Sequence, residues 1–160
     1  MRAIIKKNIN GWIIVDKQAG ITSRQVVTKI SKILNLKKVG HGGTLDPLAT
    51  GILPIAIGEA TKVISLVQSK EKKYAFIIKW GVSTETDDSE GKVLEISKAR
   101  PTHKEITSIL NCFIGNVFQK PPLYSAIKIN GQRSYKLARQ KIEIDHKLRK
   151  IEVYNLTLKK

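Results

Sequence analysis

Between residues 37 and 54 the chain reads KKVGHGGTLDPLATGILP, with glycine at 40, 42, 43 and 51 and proline at 47 and 54. Glycine and proline punctuate regular structure, so this stretch is a loop that joins the elements on either side of it. Upstream, residues 11–16 (GWIIVD) are a short apolar run suited to a buried strand. Residues 22–34 (TSRQVVTKISKIL) then predict a helix ending near Asn35. Thr22 and Gln25 have the spacing of a capping box. Val26, Val27, Ile30, Ile33 and Leu34 fall on one face, with Lys29 and Lys32 opposite.

Downstream, TGILPIAIG reads as a strand ending at Gly58, and EATKVISLV as a short helix. Over residues 73–80 Tyr74, Phe76, Ile78 and Trp80 alternate with Lys73, Ala75, Ile77 and Lys79, the clearest strand pattern in the chain. TETDDSEG is a polar loop whose Asp87, Asp88 and Glu90 lack the rest of a calcium-loop pattern, so solvation is favoured over ligation. KVLEI is another strand. Pro101 introduces a second helix, capped by Thr102 and Glu105, with Ile106, Ile109, Leu110, Phe113 and Ile114 on one face and Gly115 as its stop. Asn130-Gly131 signals a reverse turn after the strand SAIKI, residues 134–140 suit one or two helical turns, and LRKIEVYNLTL alternates as a final strand. Strands outnumber helices and include hairpin-like links. The expected fold is therefore α+β, a mixed, largely antiparallel sheet flanked by helices in one domain without repeat or linker.

The chain has 160 residues and 17.9 kDa, with 29 Lys plus Arg against 13 Asp plus Glu and a net charge of +16. A chain of this size can bury a core, and such a basic balance on a folded protein points to a polyanionic partner, nucleic acid before membrane. The excess lies at the ends: residues 1–40 and 101–160 are basic, whereas residues 41–100 balance. The single cysteine, Cys112, excludes an internal disulfide, and its apolar neighbours predict a buried thiol. His41, His103 and His146 lack metal-ligand spacing. The first residues, MRAIIKKNINGWIIVDK, have no apolar run long enough for a signal peptide or spanning helix, and a reducing cytoplasm fits best.

The glycine cluster at 40–43 does not fit a phosphate-cradling loop, because TLDPLAT after Gly43 lacks the lysine, nor is GHGG a dinucleotide fingerprint. A tight turn is the plain alternative. Asp46, however, precedes Pro47 and is biased to extended backbone, away from the local capping that usually occupies aspartate. A positioned carboxylate beside closely approachable backbone in a basic protein suggests a catalytic group.

The twelve residues Gly40-His41-Gly42-Gly43-Thr44-Leu45-Asp46-Pro47-Leu48-Ala49-Thr50-Gly51 resemble the G-H-x-G-x-L-D-P-x-A-x-G motif of the TruB family, the bacterial tRNA pseudouridine-55 synthases, related to dyskerin. The resemblance extends over nearly the whole chain. It runs through GWIIVD with Lys17, then Gly58-Glu59-Ala60-Thr61-Lys62, Lys73-Tyr74 and Gly91. It continues through Pro121, Tyr124-Ser125-Ala126-Ile127-Lys128 and Gly131 to Arg139. It implies that the uracil glycosidic bond is broken, the base rotated and C5 rejoined to the ribose, with Asp46 as the essential carboxylate. Such a group can stabilise or attack an electron-poor sugar carbon, or assist proton removal. The same resemblance makes Tyr74 the platform that stacks on an extruded uracil, a contact worth roughly 1–3 kcal/mol per base. His41 would brace the space the nucleotide leaves. Lys17, Lys62, Lys128 and Arg133 are candidate phosphate contacts. An isomerisation of this kind requires neither metal nor organic cofactor, and the expected partner is the T-arm of tRNA, met by a monomer.

Two departures stand out. Asp16-Lys17-Gln18 takes the place of the family's Asp-Lys-Pro, and the family's G-T-Y-I-R-like motif, whose arginine pairs with the catalytic aspartate, has no counterpart before Lys160. The chain is thus expected to be the N-terminal part of a catalytic domain, without the small C-terminal RNA-binding domain many members carry, and to be inactive as it stands. The alternative readings are a non-catalytic RNA-binding or tRNA-folding module, and pseudouridylation of another RNA.

Overall fold

A computed structural model describes residues 9–159 except 69, 126, 141 and 143. The N-terminal reading over residues 1–8 and Ala126 of the SAIKI segment lie outside the described residues. The chain divides into two compact units, the first ending at Tyr74 and the second beginning at Ala75.

In the first unit β1 (Gly11–Lys17), α1 (Ser23–Ile33), β2 (Val39–His41) and β3 (Gly51–Ile57) build a three-stranded antiparallel sheet of order β1-β3-β2 with the helix on one face. The Thr22–Gln25 capping box is formed in full, and Asn35 ends the helix in the left-handed region. Val26 joins Leu53 and Ile55 in the core, against which Ile13, Val15, Val27 and Ile30 pack. Two expectations need correcting here. The helix outruns the sheet, so Ile33 is 78% exposed although its spacing puts it on the apolar stripe. β1 is buried on one face only, since Trp12 and Ile14 point away from the helix and are exposed. After β3 a 3₁₀ turn (Gly58–Val63) leads into α2 (Ile64–Gln68), which matches the short helix expected there.

In the second unit all ladders are short and antiparallel. β4 (Val82–Thr84) pairs with β5 (Val93–Ile96) around the TETDDSEG loop, where Asp88 accepts from Thr86 and from the Glu90 amide and so serves the turn itself. The Thr86 hydroxyl holds the Asp88 carboxyl below its ordinary pKa, against the opposing effect of burial. α3 (His103–Ile109) starts from the complete Thr102–Glu105 box. β6 (Gly115–Gln119), which the sequence reading missed, pairs with β9 (Arg149–Val153). β7 (Lys128–Ile129) and β8 (Gln132–Arg133) form a hairpin over Asn130-Gly131, both with positive φ (47° and 84°) as a primed turn requires, and α4 (Ser134–Arg139) follows.

The α+β class holds, with every described ladder antiparallel and divided among four small sheets in place of one mixed sheet. The strand expected over residues 73–80 is not formed: residues 71–79 carry no regular structure. Alternation supplies an apolar face, but a strand also needs a ladder partner, and none pairs with this segment among the described residues. Cys112 is exposed, not buried, because the face of α3 and the turn after it that carries Ile109, Cys112 and Phe113 is largely uncovered. The final strand stops at Val153, short of Leu158.

Candidate active-site loop

The loop from His41 to Gly51 leaves β2 and returns as β3, and its main chain is fixed at several points. The Gly42 amide donates to the Pro54 carbonyl at 2.7 Å. His41 donates from Nδ1 to the Gly43 carbonyl at 2.7 Å, since a carbonyl can only accept. The Ser23 hydroxyl at the start of α1 meets both main-chain groups of Leu45. The Pro47 carbonyl accepts from the Gly20 amide at 2.8 Å and from Lys17 Nζ at 3.3 Å. Leu45 turns its side chain into the core, and Asp46, the next residue, is exposed. A carboxylate is thus held toward solvent on a backbone anchored before and after it.

The glycines are there for different reasons. A Cβ on Gly40 would lie 2.8 Å from Ile64 Cδ1, and one on Gly42 would press on Val67 and Pro54, so these two let α2 pack against the loop. Only Gly43 of the cluster faces open space, which confines the approachable backbone to that residue.

Lys17 requires a correction. Its side chain is completely buried (0% exposed), and its ammonium donates to the carbonyls of Gln18, Ile21 and Pro47, so it braces the loop from within and has no charge to offer a phosphate. The sequence signal was available: Lys17 continues the inward parity of Ile13 and Val15 on β1. Ser23 was missed because its partner is 22 residues away. Lys62 is exposed but ion-paired with Glu59, which Lys38 also reaches at 3.1 Å. The hydrogen bond from Lys62, with Lys38 behind it, holds the Glu59 carboxyl below its ordinary pKa, and Glu59 in turn raises Lys62. Tyr74, the last residue of the first unit, is 68% exposed.

Lys128 and Arg133 belong to the second unit, where they stand directly opposite each other across the β7–β8 hairpin. Lys128 also borders a groove of about 550 Å³ with Lys147 and Arg149, two basic residues the sequence reading did not single out. Beside them His146, buried, donates from Nε2 to Ser134 Oγ at 2.9 Å, while Ser134 donates to the Leu123 carbonyl, so this histidine is structural. Among the described residues no three His, Cys, Asp or Glu gather as metal ligands, and no helix is long and apolar enough to cross a membrane.

Residues 31–160 match the family model described as TruB family pseudouridylate synthase (N terminal domain). The chain is 50% identical over 150 residues to the tRNA pseudouridine synthase B of Rhodospirillum rubrum, covering 94% of this chain and 49% of that protein. It is 46% identical over 153 residues to the enzyme of the same name from Bradyrhizobium diazoefficiens, covering 96% and 44%. A chain in the crystal structure of a Cbf5-Nop10-Gar1 complex superposes with a TM-score of 0.57 at 28% identity, covering 95% of this chain and 36% of that one. The chain spans about half the length of the curated relatives it matches. A sheet, a capped helix and an anchored loop that presents one aspartate, together with a family match over most of the sequence, establish that the chain belongs to the TruB family of pseudouridylate synthases.

Proposed function

We propose that the protein converts uridine to pseudouridine at position 55 in the T-loop of tRNA, and that residues 1–160 are the N-terminal part of its catalytic domain. The observation that carries this reading is the exposed Asp46 carboxylate, standing on a main chain anchored at Leu45 and Pro47. In the reaction the N1–C1′ bond of uridine breaks, the freed uracil turns, and a C5–C1′ bond forms. The C5 hydrogen is then lost and N1 gains a proton. Asp46 sits against the ribose carbon as the charge that stabilises or captures it. Tyr74 stacks on the extruded base, and His41 fills the space it vacates. The basic residues Lys128 and Arg133 on the β7–β8 hairpin, with Lys147 and Arg149 bordering the same groove as Lys128, support RNA as the partner, because phosphate contacts from such residues dominate RNA affinity.

Incubating the full-length protein, with any sequence encoded beyond Lys160, with tRNA carrying tritium at uridine C5 tests the reaction. Release of tritium stoichiometric with uridine 55 is expected; tRNA binding without release would leave an RNA-binding module. Binding should also weaken steeply with salt. Lys128→Ala and Arg133→Ala are each expected to lower the slope of log affinity against log salt by about 0.7–0.9. An unchanged slope in both variants, read by filter binding across a salt series, would take the hairpin out of the RNA contact.

A further inference from the structure

Ser23 is 2% exposed, and it sits at the first turn of α1, where a serine ordinarily turns back on its own helix. Here the neighbouring Thr22 and Gln25 already cap the helix, and the Ser23 hydroxyl reaches across to the loop. It accepts from the Leu45 amide at 2.9 Å and donates to the Leu45 carbonyl at 3.0 Å. One hydroxyl can meet both groups only where Leu45 is extended, so that its N–H and C=O point the same way. The side chain thus takes the place of a strand edge. Leu45 is also gripped by the core through its own side chain. The peptide that leads into Asp46 is therefore fixed in position, in direction and in rotation about the chain axis.

We infer that Ser23 is a positioning residue for Asp46, setting where the carboxylate stands relative to the reacting sugar. This rests on the reading of Asp46 as the catalytic carboxylate. Lys17 and Gly20 hold the far side of Asp46 through Pro47, so removing Ser23 frees only the near side. The loop then keeps its fold but loses its aim. Effective catalysis depends on such aim, because a reacting group displaced by about 1 Å can lose on the order of 100-fold in rate.

The test compares the full-length protein with Ser23→Ala, with Ser23→Cys, which keeps a side chain of similar size but a poor acceptor, and with Thr22→Ala, which weakens the helix cap alone. Amide exchange is followed by NMR and turnover by tritium release. In both Ser23 variants exchange at Leu45 should quicken about tenfold, while that at Gly42, bonded to Pro54, stays as it was. Their kcat should fall about 10- to 100-fold with KM for tRNA within about twofold. Thr22→Ala should lower the melting temperature without moving either readout. The inference is overturned if Leu45 exchange does not change, or if it quickens while kcat holds. If Asp46→Asn itself keeps kcat, the assignment of Asp46 fails, whatever the exchange data show.

Discussion

Asp46→Asn is expected to abolish tritium release while tRNA binding survives. Asparagine has nearly the same size and keeps one side-chain acceptor, so the loop has no steric reason to move. Asp46 is exposed, and its backbone is anchored through the main-chain groups of Leu45 and Pro47, none of which the substitution touches. Stability should therefore change by no more than about 0.5 kcal/mol. What disappears is the negative charge. A ribose carbon that loses its base is electron-poor, and an amide can neither stabilise it as well as a carboxylate nor capture it. A loss of on the order of 10³-fold or more in single-turnover rate is expected, since even a single neutral donor aimed at developing charge contributes 10²–10³. Binding should stay within about threefold, because RNA affinity is dominated by phosphate contacts and Asp46 makes none. Near-normal release by the variant would remove Asp46 from the chemistry.

Ile55→Ala is the substitution expected to cost the most stability, about 2–5 kcal/mol. Ile55 is fully buried (0% exposed) at the centre of the three-stranded sheet, with Ile13 opposite it on β1 and His41 opposite it on β2. Its side chain packs with Leu53 and with Val26 of α1 in the core cluster of the first unit. All five buried hydrophobic residues of the described chain, Val26, Leu53, Ile55, Ala56 and Ile57, belong to the first unit, so one cavity there removes a large share of its core. Ile14→Ala is the matched control: the same deletion on β1, on the uncovered face at 62% exposure, should cost less than about 0.5 kcal/mol. Urea denaturation of both variants gives the comparison. Equal losses would mean that the buried face has been misassigned.

What was legible in the sequence is what local chemistry decides. The two capping boxes, the Asn130-Gly131 turn and the helix end near Asn35 each depend on residues within four positions of one another, and all formed as read. What was not legible needed a distant partner. β6 has no strong alternation of its own and exists because β9 lies beside it. The Tyr74–Trp80 pattern has the alternation but no ladder partner among the described residues. The twelve-residue motif singled out Asp46 and His41 directly. It was silent on how the aspartate is held, because Lys17 and Ser23 act across 30 and 22 residues of chain. Lys17 was read by its charge when its place on β1 decided its role.

The hydrogen bonds described above that hold the loop around Asp46 all come from residues 17 to 54, through Lys17, Gly20, Ser23, His41 and Pro54, and α2, which packs against its glycines, follows at Ile64–Gln68. During synthesis from the N-terminus, the hydrogen-bonding partners of the loop around Asp46 are therefore all made by the end of β3, and α2 soon after. The cationic hairpin is still untranslated at that moment. On the proposed function, the anchored aspartate and the cationic hairpin are thus acquired in succession, and a nascent chain holds Asp46 in place before the residues proposed to contact RNA phosphates exist.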